Sequence, residues 1–109
     1  MFRAIKDKLL GKSPNGAKRS SHWPSIRRAH LLESPLCRVC LGWKSVEVHH
    51  IQPFHVRPDL ELDPSNLVTL CESKKSGVNC HLWFGHLGDY RLCNQNVVED
   101  ADHWRIKRT

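Results

Sequence analysis

Three short segments hold the side chains that could do chemistry. They are Val46-Glu-Val-His49-His50-Ile51-Gln52-Pro53, Asp63-Pro64-Ser65-Asn66-Leu-Val-Thr-Leu-Cys71, and Asn79-Cys80-His81-Leu-Trp-Phe-Gly85-His86. An imidazole can bind a divalent cation or move a proton, and the adjacent His49 and His50 offer one residue for each task. Hydrolysing a phosphodiester has matching needs: an activated water, stabilisation of the charge that gathers on the phosphoryl oxygens, and help for the leaving oxygen. One neutral histidine serves the first, and one divalent ion the other two. The ion needs nitrogen or oxygen ligands held by the fold, with positions left open for phosphate. The base must lie beside the ion without binding it. In a flat strand His49 and His50 point to opposite faces, so a backbone bend is expected at the pair, and Gln52-Pro53 just beyond is suited to one.

Five cysteines stand at 37, 40, 71, 80 and 93. Cys37-Arg-Val-Cys40 has the spacing of a metal knuckle or a redox pair, but no βαβ pattern surrounds it. Cys71 and Cys80 supply a second pair, completing the four thiolates of a tetrahedral structural zinc site. The competing reading is two unrelated buried pairs. Cys93 is left over, with a packing role or none.

The elements that must position these groups follow from the pattern around them. Trp23 to Glu33 reads as a helix, with Pro24 suited to its first turn and Ser34-Pro35 ending it. Trp23, Ile26, His30 and Leu31 fall near one face, Arg27 and Arg28 nearer the other. His30 reads as a half-buried helix residue. Ser45 to Ile51 reads as a strand and Leu67 to Leu70 as a second, ending at Cys71, so the two form an antiparallel pair joined by a long functional loop. His81 to Leu87 has the apolar density of a helix packed on a sheet, stopped at Gly88-Asp89. Asn96 and Glu99 resemble a capping box for a last helix over about 97–107, with Val97, Ala101 and Trp104 on one face. Its basic end, Arg105-Ile-Lys-Arg108, suits a helix C-terminus or a nucleic-acid contact.

His86 is five residues past His81, about 140° away around an ideal helix. A shared ion therefore requires a distorted turn, which Gly85 would allow. His86 is a candidate for metal or phosphate contact, with packing as the alternative.

At 109 residues the chain is a single domain. Residues 1–21 read as a flexible basic arm, with a short helical turn over 2–10, and 22–109 as the folded domain. No apolar run approaches the roughly 18 residues that span a membrane, and the first residues have no signal-peptide core, so a cytoplasmic location is expected. The formal charge of +6 favours a polyanionic partner. A domain this small buries a modest core, so a metal staple matters to its stability.

Together, Cys-x-x-Cys, His-His-Ile-x-Pro, Asp-Pro-Ser-Asn-Leu-Val-x-Leu-Cys and Cys-His resemble the HNH endonuclease family over residues 37–86. The flanks are similar to those of small phage-type members, a resemblance that implies a bacterial host cell. The resemblance implies an α+β fold, a ββα-metal finger with a structural zinc site and flanking helices. It implies a metal-dependent DNA endonuclease that nicks or cuts, with His50 as general base and Asn66 tying the loop that orients it. His49 and His81 then hold the catalytic divalent ion, Mg²⁺ or Mn²⁺, with Ni²⁺ or Zn²⁺ as alternatives. Cys37, Cys40, Cys71 and Cys80 hold the structural Zn²⁺. Eight residues separate the third and fourth cysteines, where the family commonly has two, and the insertion carries Lys74 and Lys75. DNA is the implied partner, and phage terminase or packaging proteins are further candidates. Two other readings stand beside this one: an inactive zinc-stabilised nucleic-acid-binding module, and a zinc module that recruits a protein.

Overall fold

The computed structural model describes residues 18–72 and 79–108, with side chains through Arg105. The helical turn expected over 2–10, most of the basic arm, and Lys74 and Lys75 lie outside the described residues, as do the side chains of 106–108.

The fold is α+β and follows the order α1 (Trp23–Glu33), β1 (Val46–His50), β2 (Leu67–Cys71), a π-helical turn (His81–Gly85) and α2 (Val97–Arg108). The strands pair antiparallel, Val46 opposite Cys71 and His50 opposite Leu67. Sixteen residues between them form two short 3₁₀ turns, Pro58–Leu60 and Pro64–Asn66, the second capped by Asp63 through its bond from the Ser65 amide. Every residue of β2 is buried, consistent with a strand covered on both sides. No helix among the described residues is long and apolar enough to cross a membrane.

The core is small and sulfur-rich. Its buried cluster is Cys37, Val39, Val68, Leu70, Cys71, Cys80, Val97 and Ala101. Arg38 donates its amide to Thr69 O at 2.9 Å, so the Cys37–Cys40 knuckle extends the edge of β2. Thr69 Oγ1 donates to Ser34 O at 2.7 Å and ties the same strand to the end of α1. Leu41 completes the knuckle in a left-handed conformation (φ 62°), a strained geometry for a branched side chain.

α1 and α2 match their expected spans closely, with two differences in side-chain role. Arg27 does not lie on the far face: it pairs with Glu47 of β1 at 3.2 Å. The expected capping box at Asn96 and Glu99 gives way to Asn94. The buried Asn94 side chain accepts from the Asn96 amide at 3.0 Å and donates to Asp100 at 2.8 Å and Phe84 O at 3.0 Å. It thereby joins the start of α2 to the π turn. Val97 and Ala101 are buried as their spacing implies, and Trp104 meets Phe84 with ring centroids 6.0 Å apart.

Candidate active site

The four cysteines expected to act together do converge. Cys37, Cys40, Cys71 and Cys80 place their sulfurs within 4.8 Å of one another, so the eight-residue separation does not pull Cys80 away. Cys40 and Cys71 approach to 3.6 Å, and the Gly42 amide points at Cys40 Sγ at 3.4 Å. Hydrogen bonding from Cys80 pulls the Cys37 thiol down to about 4, while burial pushes Cys40 up to about 11. Cys80 is driven up as well, by Cys37 and by burial. One thiolate at this spot forces its neighbours to remain protonated. A divalent cation among four sulfurs removes that conflict, so the donor set fits a tetrahedral zinc ion.

A second cluster lies against the sheet. His49, His81 and His86 bring one ring nitrogen each within 4.8 Å of the others. His81 Nε2 lies 3.1 Å from His49 Nδ1 and 3.1 Å from His86 Nε2. The helix expected over His81 to Leu87 is a single π turn, and that change is what admits His86. In an i→i+5 turn, residues five apart come nearly into line, whereas an α-helix separates them. Gly85 makes the close packing possible. A Cβ built there would sit 3.1 Å from both His49 Cε1 and Leu70 Cδ1. Gly88, with φ 85°, reverses the chain beside Trp83, where a Cβ would meet the indole at 2.7 Å.

Each imidazole is oriented by its other nitrogen or by packing. His86 Nδ1 faces Leu92 O at 2.7 Å; a carbonyl only accepts, so Nδ1 carries the proton and Nε2 the lone pair. His81 Nδ1 faces Glu72 Oε1 at 3.1 Å, with the same consequence. Tyr90 donates to that oxygen at 2.7 Å. Burial opposes the Glu72 charge, but the hydrogen bonds from Tyr90 and His81 outweigh it and hold the carboxyl below its ordinary range. Three imidazole nitrogens gathered this closely fit a divalent transition ion.

His50 is placed elsewhere. The ladder stays regular through His50, and the expected bend falls one residue later, at Ile51-Gln52. Strand alternation then sends the neighbouring side chains to different partners. His49 packs against the π turn, and His50 meets the Trp23 ring at 4.5 Å between centroids. His50 Nε2 donates to Glu61 O at 2.9 Å, which leaves Nδ1 as the basic nitrogen. Asn66 holds the loop that carries this carbonyl. Its Oδ1 accepts from the Gln52 amide at 2.7 Å, and its Nδ2 donates to Gln52 O at 3.1 Å and Leu60 O at 3.2 Å.

Several participants were not singled out from the sequence. Glu61 is buried and takes bonds from the Ser20 amide at 2.9 Å and from Arg19 at 3.5 Å. The Arg19 guanidinium also stacks 4.5 Å over the Phe54 ring, so residues 19 and 20, read as part of the arm, are fastened to the loop. Cys93 directs its thiol to Ile51 O at 3.4 Å, just past the histidine pair. Glu72 and Tyr90 carried no local signal, because neither lies in a motif with the histidine it reaches.

Residues 36–82 match a family model described as HNH endonuclease. Neither a curated protein nor a solved structure matches the chain. The match holds both strands, Asn66, the four clustered cysteines, His49, His50 and His81; His86 and both α-helices fall outside it. Residues 36–82, which carry both strands, the four clustered cysteines and the first residues of the π turn, are thus the part of the chain that is similar to the HNH endonuclease family.

Proposed function

We propose that the protein is a metal-dependent DNA endonuclease in which His50 is the general base and His49, His81 and His86 hold the catalytic ion. The observation that carries this reading is the meeting of three imidazole nitrogens from β1 and the π turn, with a differently oriented histidine next in sequence. A bound divalent ion would neutralise charge on the phosphoryl oxygens and assist the departing 3′ oxygen. His50 Nδ1 takes the proton of the attacking water. The Glu61 carbonyl stabilises the imidazolium that results, because Nε2–H already points at it. Trp23 covers one side of the ring and Asn66 keeps the loop in register, so the base keeps its orientation between turnovers. Three nitrogen donors suit Ni²⁺ or Zn²⁺ better than Mg²⁺ or Mn²⁺, which prefer oxygen ligands. The excess of basic residues favours the phosphate backbone, and a single site of this kind nicks one strand at a time.

Nicking of supercoiled plasmid, with and without EDTA, tests the reading. Wild-type protein is expected to nick only with divalent metal, and His50→Ala to lose roughly 10²–10⁴-fold in rate while its circular dichroism is unchanged. A folded His50→Ala protein with full activity removes His50 from the base role. Salt-sensitive DNA binding with no metal-dependent product would instead identify a binding module without turnover.

A further inference from the structure

Glu72 and Tyr90 flank the histidine cluster without contributing a nitrogen to it. Glu72 follows the last residue of β2, and its amide is tied to Ser45 O at 2.8 Å, so its backbone is held by the sheet. A single carboxylate oxygen, Oε1, receives both the His81 Nδ1–H at 3.1 Å and the Tyr90 hydroxyl at 2.7 Å. The Tyr90 oxygen accepts in turn from Asn79 Nδ2 at 3.3 Å, and Asn79 Oδ1 takes the Leu82 amide at 3.0 Å at the start of the π turn. The tyrosine ring also packs on two of the three imidazoles, 5.9 Å from His81 and 5.1 Å from His86 between centroids. The chain of bonds therefore begins and ends on the turn that carries His81.

We infer that Glu72 and Tyr90 are positioning residues that set the metal affinity of the His49–His81–His86 cluster by acting through His81. The inference rests on the reading of that cluster as a metal site. A carboxylate on Nδ1–H does two things. It fixes the tautomer that turns the Nε2 lone pair toward His49 and His86, and it makes that lone pair more basic. At His86 the Nδ1–H meets a neutral carbonyl, Leu92 O, whereas at His81 it meets a carboxylate. Tyr90 keeps the carboxylate from swinging away, since its hydroxyl and His81 share one oxygen. Both residues lie partly at the surface, and neither belongs to the buried core cluster, so replacing them leaves the packing of the domain in place.

The test is calorimetric titration of Ni²⁺ into full-length protein that carries one zinc ion per chain, so that the cysteine site is filled and the histidine cluster is open to the added metal. Glu72→Gln removes the charge but keeps an acceptor, and is expected to weaken Ni²⁺ binding by roughly 10–100-fold. Tyr90→Phe deletes only a hydroxyl and is expected to weaken it by a smaller factor, with melting temperature and zinc content unchanged. His81→Ala is expected to abolish Ni²⁺ binding at this cluster. Wild-type affinity in both Glu72→Gln and Tyr90→Phe would overturn the inference. If Glu72→Gln melts early, Tyr90→Phe alone decides it. Ni²⁺ binding untouched by His81→Ala would overturn the inference together with the metal-site reading. Weakened binding in the two variants of a protein that never nicks DNA would uphold the inference while the nuclease reading fails.

Discussion

Two clusters of metal-type donors each draw one member from the same pair of strands, Cys71 from β2 and His49 from β1, and they are built differently. The cysteine cluster sits inside the apolar core, among Val39, Val68, Leu70 and Val97, with four donors from the knuckle, the end of β2 and the residue before the π turn. The histidine cluster offers three donors and is surrounded by polar partners: Glu72, Tyr90 and the Leu92 carbonyl. Four thiolates close a tetrahedron and leave nothing for a substrate, which is the design of a structural site; three neutral nitrogens leave a position open, which is the design of a catalytic one. On the function proposed above, the same small sheet separates holding from reacting by donor number and by what lies around the donors. The core is then expected to need the first cluster, whereas the second should be alterable with the fold intact.

The largest expected effect tests the first half of that contrast. Cys37→Ser or Cys71→Ser removes a ligand from a site of the kind that contributes an apparent ~10–16 kcal/mol in small zinc peptides, comparable with the ~5–15 kcal/mol stability of a whole domain. Either variant should be unfolded by circular dichroism at room temperature. A folded, cooperative melt would show that sulfur packing alone sustains the core. The second half is tested by His81→Ala, which should keep zinc at the cysteine site and a native spectrum while losing metal-dependent nicking. Loss of the fold would mean that the two clusters are not separable.

Finer changes probe how closely the histidine site is fitted. Gly85→Ala places a methyl 3.1 Å from His49 and Leu70. Overpacking of this type costs roughly 1–3 kcal/mol, so a lower midpoint in urea is expected, together with weaker Ni²⁺ binding as the His49 ring is displaced. An unchanged midpoint would show that the turn can give way. Smallest of all is Asp102→Asn, which breaks the paired bonds from Arg38 at 2.8 and 3.0 Å that pin α2 to the cysteine knuckle. Exposed pairs of this kind contribute about 1 kcal/mol or less, so thermal melting should move by only a few degrees.

Much of the fold was legible because its signals are local. Pro24 and Ser34-Pro35 bracket α1, the run before His49 marks β1, and Cys71 follows a short apolar strand; each reading needs only neighbours in sequence. The cysteine and histidine donors were legible for a related reason, since their side-chain chemistry restricts what they can do at close spacing. Asn96 misled because a capping box is also a local pattern. Asn94 competes for the same backbone, and it wins because it reaches Phe84 and Asp100 at once.

What the sequence by itself determined is the donor inventory and its grouping: two cysteine pairs, a histidine pair, and an asparagine placed before the returning strand. Tertiary structure alone decided the period of the turn that carries His81 and His86. The turn has π period over His81–Gly85, with Gly85 close against His49 and Leu70, and helical phase of this kind answers to contacts that no local pattern encodes. It likewise decided that Glu72 and Tyr90 meet on His81 and that Trp23 and the Glu61 carbonyl meet on His50. Those partners are far apart along the chain, and hydrogen bonds and ring contacts between distant residues exist only once the backbone has brought them together.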